Sequence, residues 1–134
     1  MSHTKDESRK MELLSYPSSI KNAEKIQAKW SQLFWEKYMQ NDSGIINSIN
    51  SLSEVNTVAG VDISYSKKNP NYGICCAVLW DISKNKEINI SYSEGNIEFM
   101  YKPGLLAFRE AHLSSKAING LEDRPDVILF DGHG

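Results

Sequence analysis

TVAGVDIS at residues 57–64, YGICCAVLWD at 72–81 and KEINISYSE at 86–94 decide the fold. The first run is apolar and β-branched, the second is longer and apolar, and the third alternates apolar with polar. The breaks between them, KKNPN and ISKN, are turn chemistry. Breaks this short make hairpins, so the three strands form an antiparallel meander. Downstream, PGLLAFREAHLSSKAING reads as a helix over 104–119, with Pro103 at its start and Gly120 just past its end. RPDVILFDGHG then supplies a short buried strand, Val127–Phe130, that ends in Asp-Gly.

Upstream, Ile26, Trp30, Leu33, Phe34 and Tyr38 recur at spacings of three and four. This spacing predicts an amphipathic helix over 18–40, capped by Ser18 or Ser19 and packed on the domain through its aromatic stripe. Residues 41–56, NDSGIINSINSLSEVN, read as a linker, because Asn, Ser, Asp and Gly favour turns. Residues 1–17 read as a disordered tail ending at Pro17. The order is therefore helix, β, β, β, helix, β. A right-handed crossover lays the fourth strand parallel to the first and beside it. The expected class is α/β, a mixed sheet of three antiparallel strands, a crossover helix and a parallel strand, which resembles the opening of a ribonuclease H-like sheet.

The chain has 134 residues, 40% of them apolar and 24% charged. Those values fit one globular domain or a large part of one, and exclude a fully disordered chain, a collagen-like repeat and a membrane bundle. A net charge of -2 gives no global basic field. Cys75 and Cys76 are adjacent, so on a strand they point to opposite faces, a poor disulfide and a poor metal pair. They read as reduced packing residues. The N-terminus lacks an apolar core of signal-peptide type, and no run reaches the ~18 apolar residues of a membrane span. The expectation is an intracellular protein, in cytoplasm or nucleus, away from membranes.

Three acids carry the chemistry. Asp62 sits within an apolar strand, on the face of Val58 and Gly60, while Ala59, Val61 and Ile63 face the other way. Asp131 ends the other central strand. If those strands are neighbours, the two carboxylates come close, and like charges that close need a cation or a proton. A hard divalent ion such as Mg²⁺ takes such oxygen ligands. Glu110 shares a helix stripe with Leu106, Leu113 and Ala117, the stripe expected to face the sheet. Three acids converging at one sheet end would make a metal site for phosphodiester cleavage. Each acid also has a plainer reading: a solvated strand acid, a turn aspartate, a surface charge beside Arg109. His112 and His133 are further candidate ligands, with ordinary surface roles as the alternative.

GVDISY at 60–65, YKPGLLAFRE at 101–110 and PDVILFDGHG at 125–134, in that order, resemble the signature blocks of the endonuclease V family, the deoxyinosine 3′ endonucleases. The resemblance covers about residues 58–134 and makes 57–134 a partial catalytic domain of that kind. It implies that Asp62, Glu110 and Asp131 are catalytic and metal-binding, with Mg²⁺ as cofactor and Mn²⁺ as the other candidate. It implies that Tyr101 belongs to a four-residue wedge ending in Pro103, which enters where the inosine is flipped out. Gly104 and Gly132 match glycines near the base pocket. The wedge of the family opens with proline, where this chain has Met100, and Lys102 stands at a commonly aliphatic position, within reach of a phosphate.

The resemblance implies a metal-dependent endonuclease acting on inosine in DNA or RNA, in repair or in inosine-RNA processing. Cleavage in the family falls at the second phosphodiester 3′ to the lesion. Members continue past Asp-Gly-His-Gly, so the chain reads as a truncated N-terminal part, inactive by itself. Two alternatives stand beside this one. One is another ribonuclease H-like nuclease, for which the acids would serve equally and Tyr101 would not matter. The other is a non-catalytic remnant that binds a partner through the 18–40 helix.

Overall fold

The structure is a computed structural model that describes residues 15–39, 49 and 51–131, the side chains of Tyr38 and Met39 excepted. Residues 1–14 of the expected tail, most of the expected linker, and the candidates Gly132 and His133 lie outside the described residues. The elements are α1 (Ile20–Met39), a 3₁₀ turn (Leu52–Glu54), β1 (Thr57–Tyr65), β2 (Tyr72–Asp81), β3 (Lys86–Asn96), α2 (Ala107–Asn119) and β4 (Val127–Phe130). The sheet order is β3-β2-β1-β4. β1 pairs antiparallel with β2 from Thr57↔Asp81 to Tyr65↔Gly73, and parallel with β4 from Val58↔Val127 to Val61↔Phe130. The parallel register has a local anchor. Asp126 Oδ2 accepts from the backbone N–H of Asn56 at 2.8 Å and of Thr57 at 3.1 Å, pinning the start of β4 to the start of β1. Those two bonds hold the Asp126 carboxyl below its usual pKa.

α2 covers one face of the sheet. Ala59 and Val61 of β1 and Cys75, Ala77 and Leu79 of β2 meet Leu113 and Ala117 of the helix in one buried cluster. β3 contributes small residues to this face, and α2 comes close enough that Ser93 Oγ donates to the carbonyl of Leu113. Gly120 follows the same logic. Its φ of -81° suits any residue, and a Cβ there would meet Ser91 Oγ, so the side chain of Ser91 would have to turn away to admit one. The alternation of β3 is interrupted once, by a bulge opposite Leu79/Trp80. By strict alternation Ile88 would share the face of Ile90, yet it packs against the covered core.

α1 begins where expected, with Ser19 Oγ accepting from Asn22 N at 3.0 Å as its N-cap. Its buried face differs from the predicted stripe. Ala23 and Ile26 are buried and Ile20 and Trp30 pack beside them, whereas Phe34 and Trp35 stay exposed. The partner surface explains this: Phe99, Leu105 and Phe108 form a patch that only the first half of the helix reaches. Before α1, Tyr16 and Pro17 are part of the packing. Pro17 is buried, and Tyr16 bonds the Asn96 carbonyl at 3.3 Å and touches both core clusters. In the expected linker, Ser51 caps the 3₁₀ turn and Val55 is buried. α2 starts at Ala107 and not at Gly104, because Pro103–Gly104 form a turn with Gly104 at φ +85°, incompatible with a right-handed helix.

Candidate functional site

The parallel pairing of β1 and β4 ends at Val61↔Phe130, so Asp62 and Asp131 come next on adjacent strands. Both are exposed, and both line one groove of about 550 Å³ on the face opposite α2, together with Gly60, Cys76, Val78 and Leu129. Asp62 is oriented locally, its Oδ1 accepting from the N–H of Ile63 at 2.9 Å. Cys75 and Cys76 point to opposite faces as predicted. Burial pushes the Cys75 thiol up in pKa on the covered side, while Cys76 borders the groove.

Glu110 stands on the covered side, half-buried in the first turn of α2. Its Oε1 accepts a 2.9 Å hydrogen bond from the hydroxyl of Tyr65, the last residue of β1. Burial first, then this bond, pushes the Tyr65 pKa up to about 12, so the phenol stays a donor through the neutral range. The Arg109 guanidinium lies 5.4 Å from the centre of the Tyr65 ring. Arg109 is buried and donates to the carbonyls of Phe99 and Pro70, the latter at 2.8 Å, and to Asn71 Oδ1 at 3.5 Å. Three successive residues thus do three things: Phe108 fills the second core cluster, Arg109 ties two loops to α2, and Glu110 faces the sheet end.

Glu110 and Asp131 share a second cavity of about 310 Å³, with Ser114, Ser115 and Phe130. The acids therefore border two cavities in pairs, Asp62 with Asp131 on the open face and Asp131 with Glu110 on the helix side. Among the described residues no group of three His, Cys, Asp or Glu is gathered closely enough to hold one ion. Asp131, at the tip of the outer strand, is common to both pairs. The donor chemistry is uniform, carboxylate oxygens throughout, which suits a hard divalent cation and not a soft one.

His112 lies away from the acids. Its ring is 5.1 Å from that of Tyr16, and it lines a separate cavity with Glu98 and Asn96. Tyr101 is 67% exposed, and Met100 beside it is exposed as well. Pro103 and Gly104 shape the turn that follows. Lys102 does not wait for a phosphate alone: its Nζ is 3.3 Å from Glu24 Oε1 on α1. Tyr65 and Arg109 are the site-supporting residues that sequence reasoning passed over. A signal for Tyr65 existed, since alternation puts it on the face opposite Asp62, the face where the crossover helix brings Glu110.

A three-stranded antiparallel meander whose first strand lies beside a parallel fourth strand reached through α2, with Asp62 on the one and Asp131 just past the other, defines the ribonuclease H-like class. The comparisons narrow the class. A model of the family described as Endonuclease V matches residues 40–134. Endonuclease V of Clostridium acetobutylicum is 35% identical over 105 residues, covering 74% of this chain and 45% of that protein. Endonuclease V of Bacillus subtilis is 43% identical over 81 residues, 60% of this chain and 34% of that protein. The crystal structure of endonuclease V from Streptomyces avermitilis superposes with a TM-score of 0.70 at 25% identity, over 90% of this chain and 48% of that one. That of Ciona intestinalis endonuclease V, in complex with a 23mer DNA containing an inosine followed by a ribo-adenosine, gives 0.56 at 32% identity, over 63% and 37%. The chain belongs to the endonuclease V family, whose members are endonucleases. It spans less than half the length of each of these relatives. Among the described residues no helix is long and apolar enough to cross a membrane.

Proposed function

We propose that this chain serves a metal-dependent endonuclease that recognises inosine in DNA or RNA and hydrolyses a phosphodiester on its 3′ side. The observation that carries the reading is the pairing of Asp62 and Asp131 at one end of β1 and β4, lining a single groove. Asp62 and Asp131 would hold Mg²⁺, or Mn²⁺ in its place. When bound, the ion fixes the phosphate, lowers the pKa of a water and stabilises the leaving oxygen. Glu110, kept in place by the Tyr65 hydroxyl on the helix side of Asp131, would orient or deprotonate the water. Tyr101, exposed at a loop tip, fills the stacking gap left by the flipped base. The Ciona relative with its inosine-containing DNA supports the substrate class.

Because the described acids meet as pairs, the 134-residue chain by itself is expected to bind metal and strand without turnover. The test is Mn²⁺ binding followed by electron paramagnetic resonance, with retention of an inosine-containing strand measured in Ca²⁺. Asp62→Asn and Asp131→Asn should each weaken Mn²⁺ by about tenfold or more, the loss of one charged ligand, and leave strand retention in place. Equal Mn²⁺ affinity in wild type and both variants would overturn the metal-ligand roles.

A further inference from the structure

The segment between β3 and α2 contains no helix or strand, yet most of it is held. Phe99 and Leu105, near its two ends, are buried in one cluster with Ala23 and Ile26 of α1 and Phe108 of α2. The carbonyl of Phe99 accepts from Arg109, and the carbonyl of Gly104 accepts from Gln27 Nε2 of α1 at 2.9 Å. A turn closes between them, Leu105 N donating to the Lys102 carbonyl at 3.0 Å, with Gly104 in the left-handed region. Lys102 reaches the same helix at Glu24. What remains outside this grip is the tip, Met100 and Tyr101, both largely exposed.

From this arrangement we infer that α1 is a positioning element for the Tyr101 tip, and that Gln27 is its main hydrogen-bonding residue. The proposal rests on the reading of Tyr101 as the wedge. Three contacts connect α1 to the loop, and they are unequal. The Lys102–Glu24 pair is about half exposed at both ends, so it contributes little. The apolar cluster fixes the feet of the loop but has no direction. The Gln27 bond is directional: it holds one backbone carbonyl, three residues from Tyr101, and so sets the angle at which the tip leaves the surface. The helix lies before residue 40, where the match to the family begins. A change in α1 can therefore retune the aim of the tip while Tyr101 itself is kept.

The experiment places a fluorotyrosine at position 101 of the 134-residue chain and reads its fluorine resonance by NMR in wild type, Gln27→Ala and Gln27→Lys. Gln27 is exposed, so neither variant threatens the fold. The resonance should shift and broaden in Gln27→Ala and return toward wild type in Gln27→Lys, which keeps a donor for Gly104. Affinity for an inosine-containing single strand in Ca²⁺ should fall about 2- to 10-fold in Gln27→Ala, the size of one hydrogen bond, and recover in Gln27→Lys. An unmoved resonance in Gln27→Ala overturns the inference. If the resonance moves as expected while neither Gln27→Ala nor Tyr101→Ala alters strand binding, the positioning role stands and the wedge reading fails.

Discussion

Leu79 and Trp80 are neighbours on β2, and they stand in different worlds. Leu79 is fully buried beneath α2; Trp80 is 40% exposed on the opposite face of the same sheet. The contrast extends across the sheet. Toward α2 lie Ala59, Val61, Cys75 and Ala77, packed with Leu113 and Ala117. Away from α2 lie Asp62, Asp131 and exposed apolar side chains, Ile74, Ile90, Tyr92 and Leu129 among them. Cohesion is concentrated on the first face, because that is where apolar area leaves water. The candidate chemistry opens on the second. A site open to solvent belongs on the face that gives up burial.

The sharpest way to break this comparison is Leu79→Ala. Its side chain is at the centre of the covered cluster, so truncation removes buried methyls and leaves a cavity. The expected cost is about 2–5 kcal/mol in denaturant unfolding. Tyr101→Ala, at an exposed tip, is the matched control and should move the midpoint by less than about 0.5 kcal/mol. Equal losses from the two would mean that the covered face is not where stability resides.

An intermediate effect is expected at the seam between the faces. Tyr65 belongs to β1, packs against the covered core and holds Glu110. Its folded pKa is raised to about 12 from the ordinary 10.0. A raised folded pKa means that the folded state holds the proton more tightly. Its contribution to stability is complete below pH 10 and is lost as pH rises toward 12. Tyr65→Phe should cost about 1 kcal/mol near neutrality, one hydrogen bond. It should also flatten the alkaline fall in melting temperature relative to wild type. A variant that lost stability between those pH values as steeply as wild type would show that another group drives the alkaline limb.

The same division explains what was legible beforehand. Strand positions were readable because each hairpin break is short and the runs between the breaks are apolar, β-branched or alternating; β2 and β4 occupy the residues expected of them. The adjacency of Asp62 and Asp131 followed from the handedness of one crossover. What escaped was set by partners distant in sequence. The buried face of α1 depends on Phe99, Leu105 and Phe108, so Ala23 is buried and Phe34 is not, against the pattern of the helix alone. Arg109 was not singled out, and its three acceptors come from segments that no helical spacing reveals. A single bulge turns Ile88 onto the covered face, which the alternation of β3 does not announce. The convergence of three acids came out as two pairs, because Glu110 and Asp62 stand on opposite faces and only Asp131, at the strand tip, reaches both.

The smallest effect is expected on the open face itself. Ile90 of β3 pairs with Val78, a wall of the groove, and is exposed. Ile90→Thr keeps the β-branched shape that suits a strand, so backbone preference is unchanged. What is lost is apolar contact that is already partly in water. The expected change in unfolding free energy is within about 0.5 kcal/mol. The measurement is a denaturant midpoint at two protein concentrations, with sedimentation of wild type and variant in parallel. A loss of about 2 kcal/mol or more, comparable to the covered-face substitution, would mean that the open face is buried in solution. A midpoint that rises with concentration in wild type and not in Ile90→Thr would identify the cover as a second copy of the chain, since only association makes stability depend on concentration. A small, concentration-independent change leaves the open face uncovered, and leaves cohesion to the face beneath α2.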